Sequence, residues 1–211
     1  MQKDSIITQI YERIKEQGHD EVYIVSDFLD LGEYHAVRKA LLRLEESGKI
    51  KKIIRGVYYY PRYSALIDEY EAPSPSGVAE TLARKYNWTI APCGDTALNQ
   101  LGLSTQVPAK WSYISDGPYH EFQIGSITIE FKHRSNKEVS KISRQTATII
   151  QALKSIGKEH ITDRHLNIIK KHLTADEKVN ILNEAKQSSV WIYNIMKKIC
   201  EREKEQSLCI A

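Results

Sequence analysis

The sequence predicts an α+β chain with helices at both ends and short antiparallel strands between them. Three observations predict it. Apolar residues recur at i, i+3, i+4 and i+7 over residues 4–17 and 33–47. Short β-branched and aromatic runs around 50–60 and 111–133 are separated by the turn pairs Arg55-Gly56, Asp116-Gly117 and Gly125-Ser126. The last eighty residues return to helical spacing.

The first helix, 4–17, is drawn by Ile6, Ile7, Ile10, Tyr11 and Ile14, and Gly18 stops it. Tyr23 to Val25 is a short extended stretch. Ser26 is read as the N-cap of a short helix over 26–31 that turns Phe28, Leu29 and Leu31 inward, with Gly32 ending it. A longer helix over 33–47 follows, with Val37, Ala40, Leu41 and Leu44 as its inner stripe and Gly48 as its C-terminal stop. Ile50, Ile53 and Ile54 make one strand and Val57 to Tyr60 the next, closed by Pro61. This order, with a tight glycine-containing turn, a polar outer face on the third helix and a basic hairpin tip, is the plan of a winged helix-turn-helix domain over 1–62.

Residues 61–77 read as a connector, acidic and then rich in Pro, Ser and Gly. Ser76 is expected to cap a helix over 77–86, and Trp88 to Pro92 is a short strand. A helix with Thr96, Ala97, Leu98 and Leu101 ends at Gly102, and strands follow at 111–115, 119–124 and 127–133. Four helices are expected over roughly 138–204. They run from 138 to 156, from 161 to 172, from a capping box at Thr174 with Glu177, and from Ser188 or Ser189. The second domain, 63–211, is therefore a mixed one, with a small antiparallel sheet and a helical C-terminal part.

The 211 residues are 41% hydrophobic and 27% charged, which excludes a disordered, collagen-like or disulfide-stapled chain. No uncharged apolar run approaches the roughly 18–20 residues of a membrane span. The charged N-terminus has no apolar core of a signal peptide. Cys93, Cys200 and Cys209 are scattered and form no C-x-x-C pair, so no disulfide framework or cysteine zinc site is expected, and a reducing cytoplasm fits. Net charge is only +3, yet its distribution is uneven. Residues 33–62 hold 8 Lys/Arg and 3 Asp/Glu, whereas 63–131 hold 3 and 8. A basic block beside an acidic one suggests a polyanion-binding face.

The third helix carries that reading. With its stripe packed inward, His35, Arg38, Lys39 and Arg43 lie on the opposite face. An α-helix fits the B-DNA major groove, where Arg38 can take guanine O6 and N7 as a bidentate pair. His35 and Tyr34 can reach bases or phosphates, although Tyr34 also shares the core face with Val37, Leu41 and Leu44, so packing and contact are both open to it. Arg43, further along, suits a backbone phosphate. Lys51 and Lys52 sit near the wing, and Arg55 at its tip is placed for phosphate or the minor groove. A second basic surface is drawn by Lys132, Arg134, Lys137, Lys141 and Arg144, with 137, 141 and 144 on one expected helical face.

A winged helix ending in RGVYYYP (55–61), followed by the segment from Pro75 to Pro108, resembles the AbiEi-type antitoxin regulators over about residues 1–150. The resemblance implies a transcriptional repressor of its own operon that serves as antitoxin in a type IV toxin–antitoxin pair. The implied partner toxin is nucleotidyltransferase-like, and neutralisation need not involve stable binding. His35, Arg38, Lys39 and Arg55 match the recognition helix and wing; no neutralising residue carries over.

No catalysis is required by this reading, and no cofactor or metal is expected. Two alternatives belong to other classes. Asp95 with Glu130 and Lys132, an E-x-K pattern on a strand, could hold Mg²⁺ in a nuclease delivered to DNA by the winged helix. A protein-interaction module that binds no DNA is the other. The seven histidines form no H-x-x-x-H or H-E-x-x-H pair, and no Walker A, G-x-G-x-x-G or G-x-S-x-G motif is present.

Overall fold

A computed structural model describes residues 5–19, 21–66, 68–135 and 138–201. Within them the chain is a mixed α+β protein of eight α-helices and small antiparallel sheets. Its contacts divide into two compact units. The first runs through Trp88 and takes in Phe122–Ile129; the second holds Thr89–Glu121 and the chain from Glu130 onward. No helix of the described residues is long and apolar enough to cross a membrane.

In the first unit, α1 (Ile6–Gln17) begins where the Ser5 hydroxyl accepts the Thr8 N–H at 3.3 Å and ends at Gly18. β1 (Val22–Ile24) follows. The short helix expected over 26–31 is a single 3₁₀ turn, Val25–Phe28, and Ser26 does not cap it. The N-cap position is Ile24, whose own N–H donates to the carboxylate of Asp27, the third residue of the turn, at 2.9 Å. The chain then passes Gly32, where a Cβ would stand 2.8 Å from Ile6 Cδ1, so a larger residue would push the tip of that side chain aside. α2 (Tyr34–Glu46) follows, then β2 (Lys51–Ile54) and β3 (Val57–Tyr59). The three strands order as β1-β3-β2, all antiparallel, with an irregularity between Lys52 and Ile54. The core is Ile10, Ile14, Phe28, Val37, Leu41, Leu44 and Ile50, closed on the sheet side by Tyr23 and Tyr58.

The connector holds a small hairpin that the sequence did not announce, β4 (Tyr63–Ser64) and β5 (Glu69–Tyr70). Strands of two residues are too short to display an alternation. The Tyr63 and Tyr70 rings meet edge to face at 5.4 Å. α3 (Pro75–Tyr86) begins two residues earlier than expected, because Ser74 and not Ser76 accepts the first free N–H, from Gly77 at 3.1 Å, and Pro75 suits the first helical position. α3 serves the edge strand β1: the Thr81 hydroxyl and the Arg84 guanidinium both donate to the Val22 carbonyl at 3.3 Å.

Further along the chain, β6 (Ile90–Pro92), α4 (Asp95–Gln100), β7 (Trp111–Ser115), β8 (His120–Ile124) and β9 (Ile127–His133) follow the expected order. Their sheet is ordered β6-β7-β9-β8, and Pro92 is tolerated because β6 is an edge. The helix expected over 138–156 starts only at Arg144, as α5 (Arg144–Ile156). Ser143 caps it by accepting the Thr146 N–H at 3.3 Å, and the Glu184 carboxylate accepts from the hydroxyls of both residues. Glu138 is instead tied to Lys154 at 2.8 Å. α6 (Asp163–Lys171), α7 (Ala175–Glu184) and α8 (Val190–Cys200) complete the bundle. The Thr174 capping box stands as read, with Ser189 at the N-cap of α8. Ile149, Leu153, Leu166, Ile169, Ile181, Ile192, Met196 and Ile199 form one buried cluster.

Leu41 is fully buried beneath α2. Leu41→Ala is expected to cost about 2–5 kcal/mol in urea unfolding, through lost transfer energy and the cavity left behind. A loss under about 1 kcal/mol would show that this stripe does not anchor α2.

Candidate functional site

The stripe Val37, Ala40, Leu41 and Leu44 is buried, which fixes the rotation of α2 and sends its charged residues outward. Tyr34, His35, Arg38, Lys39 and Arg43 are all exposed. Tyr34 stays out of the core, 54% exposed, with its ring edge-on to that of His35. The structure separates these residues into groups. Tyr34, Arg38 and Leu42 line a cleft of about 780 Å³, facing Lys52, Arg55, Gly56 and Tyr58 of the hairpin. His35 and Lys39 are exposed outside the cleft. Arg43, five residues beyond Arg38 and so about 140° round the helix, is on the far shoulder.

The hairpin tip turns at Gly56 with φ +76°, a conformation that favours glycine. It holds Arg55 out in solvent. Lys51 and Lys52 point to opposite faces of β2, as adjacent strand residues must. Lys52 bonds Glu45 of α2 at 3.0 Å, and Lys51 sits 3.6 Å over the Tyr70 ring. Both lysines thus have internal partners, and the Glu45 hydrogen bond raises the pKa of Lys52. Among the described residues Arg38, Lys39, Arg43 and Arg55 form no ion pair.

Two further cations line the cleft that were not among the expected site residues, Arg84 and Lys85 of α3. Arg84 is held by Asp27 at 2.6 Å. Lys85 donates from Nζ to the Arg55 carbonyl at 2.5 Å. Burial and the neighbouring Arg55 charge lower the Lys85 pKa. These are two of only three Lys/Arg in the acidic stretch 63–131, so a charge profile along the chain hides them.

The second basic surface does not form as one helical face. Arg144 is the first residue of α5, Lys141 is exposed in the turn before Ser143, and Lys137 lies outside the described residues. Lys132 is paired with Glu130 at 3.1 Å, and Arg134 donates to the His133 carbonyl at 2.8 Å.

Asp95 is exposed in the first turn of α4. Glu130 is nearly buried, and its carboxylate accepts from Ser112 at 2.9 Å and Tyr119 at 3.2 Å besides Lys132. Among the described residues no three of His, Cys, Asp and Glu are grouped to hold a metal ion. The Cys93 thiol is buried, which pushes its pKa up to about 11 and leaves it a poor nucleophile.

Burial pushes the Glu130 carboxyl up, but the hydrogen bonds from Ser112, Lys132 and Tyr119 outweigh it and hold the group below its ordinary range. A depressed carboxylate stabilises the fold above the unfolded value, about pH 4.3, and ceases to do so as pH falls through the folded value. Wild type should therefore exceed Glu130→Gln in stability at pH 7, and the gap should shrink steadily below about pH 4.3 in urea melts taken at each pH. A gap that stays constant down to pH 2 would show that folding does not lower the pKa of this carboxylate.

A comparison with curated proteins finds none that matches the chain. A family model described as "Family of unknown function (DUF6088)" matches residues 9–181, and the chain belongs to that family.

Proposed function

We propose that the first unit is a winged helix that binds duplex DNA, with α2 as its recognition helix and the β2–β3 hairpin as its wing. The observation that carries this is the convergence of Arg38 and Arg55, two cations without carboxylate partners among the described residues, on one basic cleft between helix and hairpin. A cleft lined by cations that no internal carboxylate neutralises attracts a polyanion. The exposed crest of α2, with His35 and Lys39, has the shape to enter a major groove. Arg38, near the N-terminal end of the helix, suits base-edge contact; Arg43 and Arg55 suit phosphates.

The resemblance to AbiEi-type antitoxin regulators extends the proposal. The protein would repress its own operon in the cytoplasm and act as antitoxin to a co-encoded nucleotidyltransferase-like toxin, without catalysis of its own. Expression of the neighbouring gene with and without this chain tests that part through growth. Rescue supports it, and equal arrest in both cultures overturns it.

Fluorescence anisotropy tests DNA binding, using a duplex from just upstream of the gene and a scrambled duplex of equal length. Arg38→Ala should cost about 1–3 kcal/mol on the native duplex and narrow its advantage over the scrambled one. Arg55→Ala should weaken both evenly. Equal effects of the two substitutions on both duplexes would contradict the assigned roles, and no binding at low salt would remove the DNA reading.

A further inference from the structure

The cleft's other wall suggests that the DNA interface does not end with the helix and hairpin. We infer that Lys85 of α3 and Arg55 of the hairpin tip form a two-cation seat for a single backbone phosphate of the bound duplex, an inference that rests on the DNA-binding reading.

Lys85 belongs to the last turn of α3, thirty residues beyond the tip, yet its ammonium reaches the Arg55 carbonyl. An ammonium has three donors, and that bond uses one. Two N–H groups remain for an acceptor from outside, with the Tyr86 ring centroid 5.3 Å from the ammonium. The tip presents little obstruction beside it, since a Cβ built on Gly56 would find only the Lys85 Nζ, at 3.8 Å. Arg55, with its fork of guanidinium donors, lines the same cleft.

The neighbouring charges show why this pair, and not its neighbours, is left open. Arg84 is neutralised by Asp27, and Lys52 by Glu45. Among the described residues no acid pairs with Lys85 or Arg55, so the two like charges stand together uncompensated. The depressed pKa of Lys85 agrees, burial and the Arg55 charge being its causes. A phosphodiester has one negative charge and two free oxygens. One oxygen can accept from the ammonium and the other from the guanidinium.

The Lys85–Arg55 carbonyl bond gives the seat a second role. It fixes the backbone of a hairpin tip that is otherwise exposed, so the wing meets the duplex in one conformation. Less chain entropy is then lost on binding.

The test compares full-length wild type with Lys85→Gln, Lys85→Arg and Arg55→Gln on the native and scrambled duplexes, by anisotropy from 50 to about 300 mM salt. Lys85→Gln should bind both duplexes roughly threefold to tenfold more weakly, and its plot of log affinity against log salt should be shallower by about 0.9. Arg55→Gln, exposed and remote from the core, should lose the same slope even if Lys85→Gln folds poorly. Lys85→Arg should retain the wild-type slope. Wild-type affinity and slope in Lys85→Gln or Arg55→Gln, beside weakened Arg38→Ala, would overturn the seat and leave the DNA reading standing. Failure of wild type itself to bind either duplex would overturn both.

Discussion

The packing of α2 on α1 and the 3₁₀ turn governs the first unit. Val37, Leu41 and Leu44 enter a core with Ile10, Ile14 and Phe28, and a helix committed on one side by this much apolar surface has no freedom to rotate. Everything polar on α2 is then placed by the 3.6-residue repeat. Tyr34 and Arg38 face the hairpin, His35 and Lys39 lie outside the cleft, and Arg43 is turned away. Ile50 and Tyr58 join the same core, so the sheet is fixed against the helix that it flanks. The geometry of the candidate site follows from hydrophobic burial, although every residue in the proposed contacts is charged or polar.

Electrostatics then sorts the cations. Lys52 and Arg84 are spent on Glu45 and Asp27, at 3.0 and 2.6 Å. Lys51 lies on an aromatic face. Such contacts organise the unit and reduce what these side chains can offer a ligand. Arg38 and Arg55 keep their charge for an external partner, and Lys85, 5.3 Å from the Tyr86 ring and bonded to the Arg55 carbonyl, has no carboxylate among the described residues to neutralise it. Exposed ion pairs contribute little to stability, so the distinction matters for binding and hardly at all for folding.

Much of this was legible in the sequence. The stripes of α1 and α2, the stops at Gly18 and Gly48, the Thr174 capping box and the three strands between 111 and 133 follow from periodicity and turn chemistry. The failures have local causes. Asp27, and not Ser26, supplies the side-chain acceptor at the start of the 3₁₀ turn, because its carboxylate reaches back over three residues to the Ile24 N–H. Residues 138–142 pass for helix by spacing, but the stretch from Glu138 lies outside α5, whose start is set by Ser143 and its Glu184 partner. That shift also takes Lys141 off the face assigned to it with Arg144. Lys85 was invisible because its meeting with Arg55 is made by the docking of α3 on β1, and no pattern along the chain encodes it. Glu130, read on the chain as half of an E-x-K pair, is occupied by Ser112, Tyr119 and Lys132.

We propose that one face of the first unit, α2 with the hairpin tip and the end of α3, receives duplex DNA. Backbone amide NMR of the ¹⁵N-labelled full chain, titrated with the duplex from upstream of its gene, tests it most directly. Shifts are expected to concentrate at Tyr34 to Arg43, at Arg55 and Gly56, and around Lys85, with the α5–α8 bundle little changed. Shifts centred on the bundle, with Arg38 and Arg55 unmoved at saturation, would contradict it.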